Sequence, residues 1–316
     1  MNKIGFACKF VYPDRSLPLK QINEIERQYN MKSTTVKWLR DNKKQAHGKL
    51  EEICLYNAQC ILNLVSMVSS WPVSLRMVRI GSDVLPVYTH AEFRDFYKKA
   101  KFMDKVESLL SEAGHIARTK NVKLSMHPGQ FCVLASDKPH VLTNSIEEFE
   151  YHVDLIRMMG FGKSKLDFKC NVHLSGAGGA ETFKQTYKKL SNEARRVITL
   201  ENDEFSSDLN DLLPLSKLVG IVLDLHHYWV YNEKYIESND PRLKIIEDSW
   251  QGVTPTIHYS YSREDYVSDV FGQRPDMRTL LSHGTPKTKL RAHSDFYPNA
   301  TVNRYVLSFL KRFDIM

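Results

Sequence analysis

Val122-Lys123-Leu124-Ser125-Met126-His127 is a short β-rich run that ends in an imidazole, followed at once by Pro128-Gly129. Four other runs share that form. Cys170-Asn171-Val172 ends in His173, Val197-Ile198-Thr199-Leu200 in Glu201, Gly220-Ile221-Val222-Leu223 in Asp224, and Pro255-Thr256-Ile257 in His258. With runs at 3–8 and 75–81 they read as strands spanning 3–8, 75–81, 122–127, 168–174, 197–201, 220–224 and 255–259. Helical patterns fall between them at 48–70, 91–120, 145–159, 180–194, 208–219, 241–250 and 302–313. An eighth strand can begin at Asp314-Ile315-Met316. Strands alternating with helices of this length predict an α/β fold with a parallel sheet. Seven or eight units in 316 residues, somewhat above the roughly 250 usual for a (β/α)8 TIM barrel, point to that barrel. A doubly wound open sheet is the alternative, but Gly5-Phe6-Ala7-Cys8 lacks the G-x-G-x-x-G turn of a dinucleotide site. No Gly/Ser/Pro linker or charge block divides the chain, so residues 1–316 read as one domain.

In such a barrel, chemistry is built where strands end. About one residue in six is His, Asp or Glu. Five at five designated ends would arise by chance on the order of once in ten thousand, before allowing for freedom in placing the ends. Any one of them alone would read as a hydrogen-bonded core histidine or a helix-capping acid. Together, buried carboxylates and imidazoles converging on one mouth need a cation. Nitrogen and oxygen donors without thiolate suit zinc, manganese or iron, and more than four candidates imply more than one ion. Clustered divalent ions suit phosphodiester hydrolysis, although isomerisation or hydrolysis of a small molecule is compatible.

Asp224-Leu225-His226-His227 places His227 three positions after a strand-terminal acid, so that both can reach one metal as the chain turns; His226 is the alternative ligand. His90 follows the second strand on the same barrel face, and His293 lies in a Gly-, Pro-, Lys- and Arg-rich loop. His47, His115, His140, His152 and His283 sit in helical or plainly polar contexts and are left outside the site. The turn His127-Pro128-Gly129-Gln130-Phe131 would hold an amide and a ring over the mouth, equipment for stacking in a distorted duplex.

Composition agrees. The chain is 42% hydrophobic and 26% charged, with 44 Lys and Arg against 37 Asp and Glu, a net charge of +7. That excludes a disordered chain and favours a polyanionic partner, nucleic acid before membrane. Five scattered cysteines without a C-x-x-C pair argue for a reducing compartment. The amino-terminal residues show no signal-peptide core, and the longest apolar stretch, around 61–68, is broken by Asn63 and Ser66. A soluble, cytoplasmic protein is expected.

These motifs carry a resemblance. His127-Pro-Gly-Gln-Phe131, Leu200-Glu-Asn-Asp-Glu204, Arg79-Ile-Gly-Ser82 with Leu85-Pro86, and Asp224-x-x-His227 resemble, in that order along nearly the whole chain, the ultraviolet-damage endonuclease family. More distantly the pattern is similar to endonuclease IV and other xylose-isomerase-like barrels. The resemblance implies a DNA repair endonuclease, monomeric and intracellular. It nicks double-stranded DNA immediately 5′ of pyrimidine dimers and 6-4 photoproducts, leaving a 3′-hydroxyl and a 5′-phosphate. It implies two or three divalent ions, Mn²⁺ first, with Zn²⁺ or Mg²⁺ as alternatives. On matching positions, His90, His127, His173, Glu201, Asp224, His227, His258 and His293 become metal ligands, with Glu201, Asp224 and His258 catalytic. Gln130 and Phe131, with Phe6, match the groups that probe the lesion.

Three departures from the family pattern matter. Phe6 and Phe131 stand where tyrosine is common. Thr256 replaces a lysine found in some members two residues before the histidine matching His258, so a role for a modified lysine is absent. The family's last strand continues into a ligating glutamate, whereas this sequence ends at Met316; either the chain is truncated or another group supplies that ligand. Two competing readings follow. A sugar isomerase or epimerase on the same barrel would need a small closed pocket and gains nothing from net +7. A catalytically impaired damage-binding protein would bind DNA and leave it uncut.

Overall fold

Helices alternate with eight short parallel strands in a computed structural model that describes residues 1–267 and 272–316. The strands are β1 (Phe6–Ala7), β2 (Met77–Ile80), β3 (Lys123–Met126), β4 (Lys169–His173), β5 (Ile198–Glu201), β6 (Gly220–Val222), β7 (Thr256–Ile257) and β8 (Asp314–Ile315). β1 to β6 pair in chain order in one sheet, and β7 pairs with β8. Isolated parallel bridges join the two sheets on both sides, Asp224 to His258 and Ile4 to Ile315. The His258 N–H donates to the Leu223 carbonyl at 2.9 Å, and the Gly5 N–H to the Ile315 carbonyl at 2.9 Å. The eight strands thus follow one another around a ring, the expected (β/α)8 barrel. Each strand is shorter than its sequence run, and at β1, β6 and β7 a single bridge replaces the outer ladder.

The helix Lys43–Ser69 buries Leu50, Ile53, Cys54, Ala58, Ile61, Leu64, Val65 and Val68, a 3.6-residue stripe against the barrel. It starts five residues before the expected 48, because residues 43–45 are exposed and carry no apolar period to read. The helix Pro139–Met158 likewise begins ahead of 145, with proline in its first turn. The pattern at 91–120 is two helices, Arg94–Lys99 and Met103–Thr119, separated where Ala100 turns extended at ψ 110°. At 180–194, Ser191 opens a second helix, its hydroxyl accepting from the Ala194 N–H at 3.0 Å.

Gly114 sits where the helix Met103–Thr119 crosses the end of the helix Pro139–Met158. A Cβ there would lie 1.8 Å from the Met159 carbonyl oxygen, so the helices touch backbone to backbone. Gly114→Ala is expected to destabilise the fold by about 3 kcal/mol or more, at or beyond the upper end of overpacking effects. A urea midpoint within error of wild type would contradict this close approach.

Candidate metal centre

Side chains alternate along a strand, so the residues facing the barrel interior are read two apart. On β4 these are Lys169, Asn171 and His173; on β5, Thr199 and Glu201; beside β7, Thr256 and His258. Glu201, 1% exposed, is the hub. Its Oε2 lies 3.1 Å from His127 Nε2 and 3.6 Å from His173 Nε2. Its Oε1 lies 2.7 Å from His258 Nδ1 and 3.8 Å from His227 Nδ1. Burial alone would raise its pKa, but His258, His127 and His173 hold the carboxylate well below the usual range. Two groups of ligand atoms within one ion's reach result, His127–His173–Glu201 and Glu201–Asp224–His258.

Asp224 and His227, expected to share a metal, are brought together by a specific local feature. Asp224 is the N-cap of the helix Leu225–Asn232, which the sequence did not suggest; its Oδ1 accepts from the His226 and His227 amides at 2.8 Å each. The first turn then sends the two histidines apart. His227 lines the central cavity, whereas His226 Nε2 bonds the Ser262 hydroxyl at 3.0 Å and the ring turns away. Burial would lower the His227 pKa, but Asp224, Glu201 and Glu204 raise it to about 9. Burial pushes His127 down to about 4 and His258 to about 3. His293 arrives on its long loop, fastened by an antiparallel bridge between Ser262 and His293. Its ring lies 6.2 Å from that of His227.

His90 is not brought into either group. Its Nδ1 accepts from the Glu92 N–H at 3.3 Å and its ring lies 5.7 Å from Phe93, both on its own loop. Gln130 is exposed and Phe131 is 84% exposed, as the Pro-Gly turn led us to expect. Phe6 differs: it is half-buried, packed 5.7 Å from Trp71 and 6.2 Å from Phe10 in the cavity wall.

Four interior or rim residues were missed. Asn171 donates to Glu201 Oε2 and accepts from the Thr199 hydroxyl at 2.8 Å, orienting the central carboxylate. Lys169 Nζ lies 2.5 Å from His258 Nε2. A lysine thus reaches beneath the site from β4, although Thr256 occupies the β7 position where one was looked for. The clue was the same-face spacing of 169, 171 and 173. Arg79 on β2 lines the cavity and carries positive charge toward Glu201 and Asp224. Glu204, three residues past Glu201, approaches His227. The cavity holds about 740 Å³, with Phe6, Phe10, Trp71, Phe296 and Tyr297 among its walls.

Of the histidines set aside, His152 is fully buried; its Nδ1–H donates to the Glu148 carbonyl at 2.8 Å, and Nε2 has no hydrogen-bond partner among the described residues. Burial lowers its pKa to about 4. Between about pH 6.5 and pH 4 the unfolded chain therefore takes up a proton that native His152 refuses, and stability falls as pH falls through that window. Metal-free protein should lose about 2 kcal/mol from this group between pH 7 and pH 5, and His152→Leu should remove that share. Parallel urea-midpoint profiles for the two proteins would show that His152 does not titrate as stated.

A parallel barrel with imidazoles and carboxylates clustered at its carboxyl-terminal mouth defines an α/β-barrel protein with a candidate metal centre. The sequence profile described as UV-endonuclease UvdE matches residues 3–293, and the chain belongs to that family. A UV-damage endonuclease of Neurospora crassa is 29% identical over 276 residues, 81% of this chain and 41% of that protein. One from Schizosaccharomyces pombe is 28% identical over 83% of this chain and 43% of its own. The chain therefore spans about two fifths of those relatives, but 72% of a 28% identical UV DNA damage endonuclease from Bacillus mycoides, which covers 73% of this chain. The crystal structure of SacUVDE, 22% identical, superposes with a TM-score of 0.73 over 100% of this chain and 92% of that one, which bears out the barrel. No helix among the described residues is long and apolar enough to cross a membrane.

Proposed function

We propose that the chain is a metal-dependent DNA repair endonuclease that nicks duplex DNA immediately 5′ of ultraviolet photoproducts, leaving a 3′-hydroxyl and a 5′-phosphate. The observation that carries this reading is the convergence of His127, His173, Asp224, His227 and His258 around Glu201, at the floor of an open, aromatic-walled cavity. Their N/O donor set, free of thiolate, fits two or three divalent ions, Mn²⁺ first and Zn²⁺ or Mg²⁺ as alternatives. His293 would complete the set from its loop, and His90 would join it only by turning away from Phe93. Bound ions would lower the pKa of an attacking water and offset charge on the leaving oxygen.

The chain's own groups supply the rest. Asn171 fixes the Glu201 carboxylate, and Lys169 fixes the His258 ring from below. Glu201, Asp224 and His258 are the catalytic set, and the Arg79 guanidinium on the cavity wall presents positive charge to a phosphate. Gln130 and Phe131 would probe the stack outside the cavity, while Phe6 lines the wall against which an extruded base would lie. The openness of this cavity favours a nucleic acid over the small sugar of the isomerase reading. A net charge of +7 suits DNA, and the reading implies a monomeric, single-domain, intracellular enzyme.

Incubating metal-stripped protein plus Mn²⁺ with irradiated and unirradiated supercoiled plasmid tests this reading. Nicked circles should form from the irradiated plasmid only. Intact irradiated plasmid, or equal nicking of both, would refute it.

A further inference from the structure

Residues 32–49 carry six Lys and Arg against one Asp, so this short segment alone is +5 in a chain of net charge +7. It lies after β1 and takes in the helix Val36–Asp41 and the start of the helix Lys43–Ser69. A barrel helix returns the chain from the carboxyl end of one parallel strand to the start of the next, so its first turn stands at the barrel mouth. The basic segment therefore shares a face with Glu201 and with the turn that carries Phe131.

It is held there by its own small core. Leu39, Ala46, Leu50 and Phe93 form an apolar cluster apart from that of the barrel. The His47 ring stacks on Phe96 with centroids 4.5 Å apart and planes inclined by 22°. Arg40 Nε donates to Glu92 Oε2 at 2.9 Å. Buried Asn57 ties the approach: its Oδ1 accepts from the Lys32 N–H at 2.8 Å, and its Nδ2 donates to the Asp83 carbonyl at 2.7 Å. The loops after β1 and β2 thus form one platform beside the mouth.

Fold stability gives no reason for the charge on this platform. Lys37, Lys43 and Lys44 are exposed, and none enters an ion pair among the described residues. Lys43 and Lys44 open a helix whose first turn holds no acid, where the helix dipole disfavours cations. Exposed, unpaired lysines are the groups that neutralise a phosphate backbone and release its counterions.

We propose that this platform, through Lys37, Lys43 and Lys44, binds phosphates of the duplex outside the lesion and so seats the DNA over the mouth. This rests on the reading of the substrate as DNA, and it adds a surface that neither the ligand groups nor the probing turn contains. Backbone contacts position a duplex without reading it, so they act equally on damaged and intact DNA.

The test compares Mn²⁺-loaded wild type with Lys37→Gln/Lys43→Gln/Lys44→Gln. A control, Lys188→Gln/Lys189→Gln/Lys217→Gln, removes three exposed lysines at the opposite end of the barrel, after the helix Gly179–Tyr187 and ahead of β6. Fluorescence anisotropy on an undamaged duplex gives affinity against salt. Single-turnover nicking of a dimer-containing duplex, over a range of protein concentration, gives the half-saturating concentration and the plateau rate. In the platform variant affinity should fall by about tenfold or more, and the log-log salt slope should become shallower by about 2–3, near 0.9 per lost contact. The half-saturating concentration should rise by the same factor with an unchanged plateau, and the urea midpoint should equal or exceed that of wild type. The control should stay within about twofold of wild type in affinity. Wild-type affinity and salt slope in the platform variant would overturn the proposal, as would an equal loss in the control. Wild type that binds neither duplex would instead overturn the DNA reading itself.

Discussion

Glu201→Gln is expected to remove at least one bound divalent ion and to lower nicking of damaged DNA on the order of 10³-fold or more. Glu201 is the residue common to both groups of ligand atoms, so its charge serves more than one position. The amide is nearly isosteric and keeps an oxygen that could still accept from Asn171, which limits the structural damage. It also places an NH2 where imidazole nitrogens converge and removes the negative charge that they surround. The loss should therefore appear in metal content as well as in rate. Elemental analysis and single-turnover nicking, run beside thermal unfolding, would check it. Full metal content with near-normal nicking in a folded variant would contradict the place given to Glu201.

Phe131→Ala should weaken binding to a duplex carrying one thymine dimer by about 1–3 kcal/mol, roughly 5- to 150-fold, through loss of one stacking contact. Binding to the matched undamaged duplex, and the number of bound metals, should scarcely change. The ring is 84% exposed, so its removal costs the folded core little. The backbone behind it stays anchored: the Cys132 N–H donates to the Gly129 carbonyl at 2.9 Å, and the Val133 N–H to the Ser145 hydroxyl at 2.8 Å. A photoproduct already weakens pairing and stacking, so a ring enters there at less than the few kcal/mol an intact step demands. Fluorescence anisotropy on the two duplexes separates the possibilities. Equal loss on both would mean that the ring contributes only general contact.

The barrel was legible in the alternation and number of strand and helix units, and the site in the polar groups that end the strands. His127, His173, Glu201, Asp224 and His258 mark those ends, and the structure assembles them. The manner of ring closure was not legible, since at Ile4 and Asp224 it rests on one bridge each. Helix starts at Lys43 and Pro139 escaped because their first turns face solvent. His90 was drawn in from its position after β2, but loop geometry turns it toward Phe93. Lys169 and Asn171 could have been found by stepping back four and two residues from His173. Glu204 could not, because its approach to His227 depends on Arg291, 87 residues away in the chain.

The central claim is metal-dependent incision at a lesion, tested most directly at nucleotide resolution. An end-labelled duplex with one thymine dimer is incubated with metal-stripped protein, with Mn²⁺ or with chelator, and read beside a sequencing ladder. The account predicts a single cut at the phosphodiester immediately 5′ of the dimer, ending in a 3′-hydroxyl and seen only with metal. Uncut DNA in Mn²⁺, or a cut that persists in chelator, would contradict it.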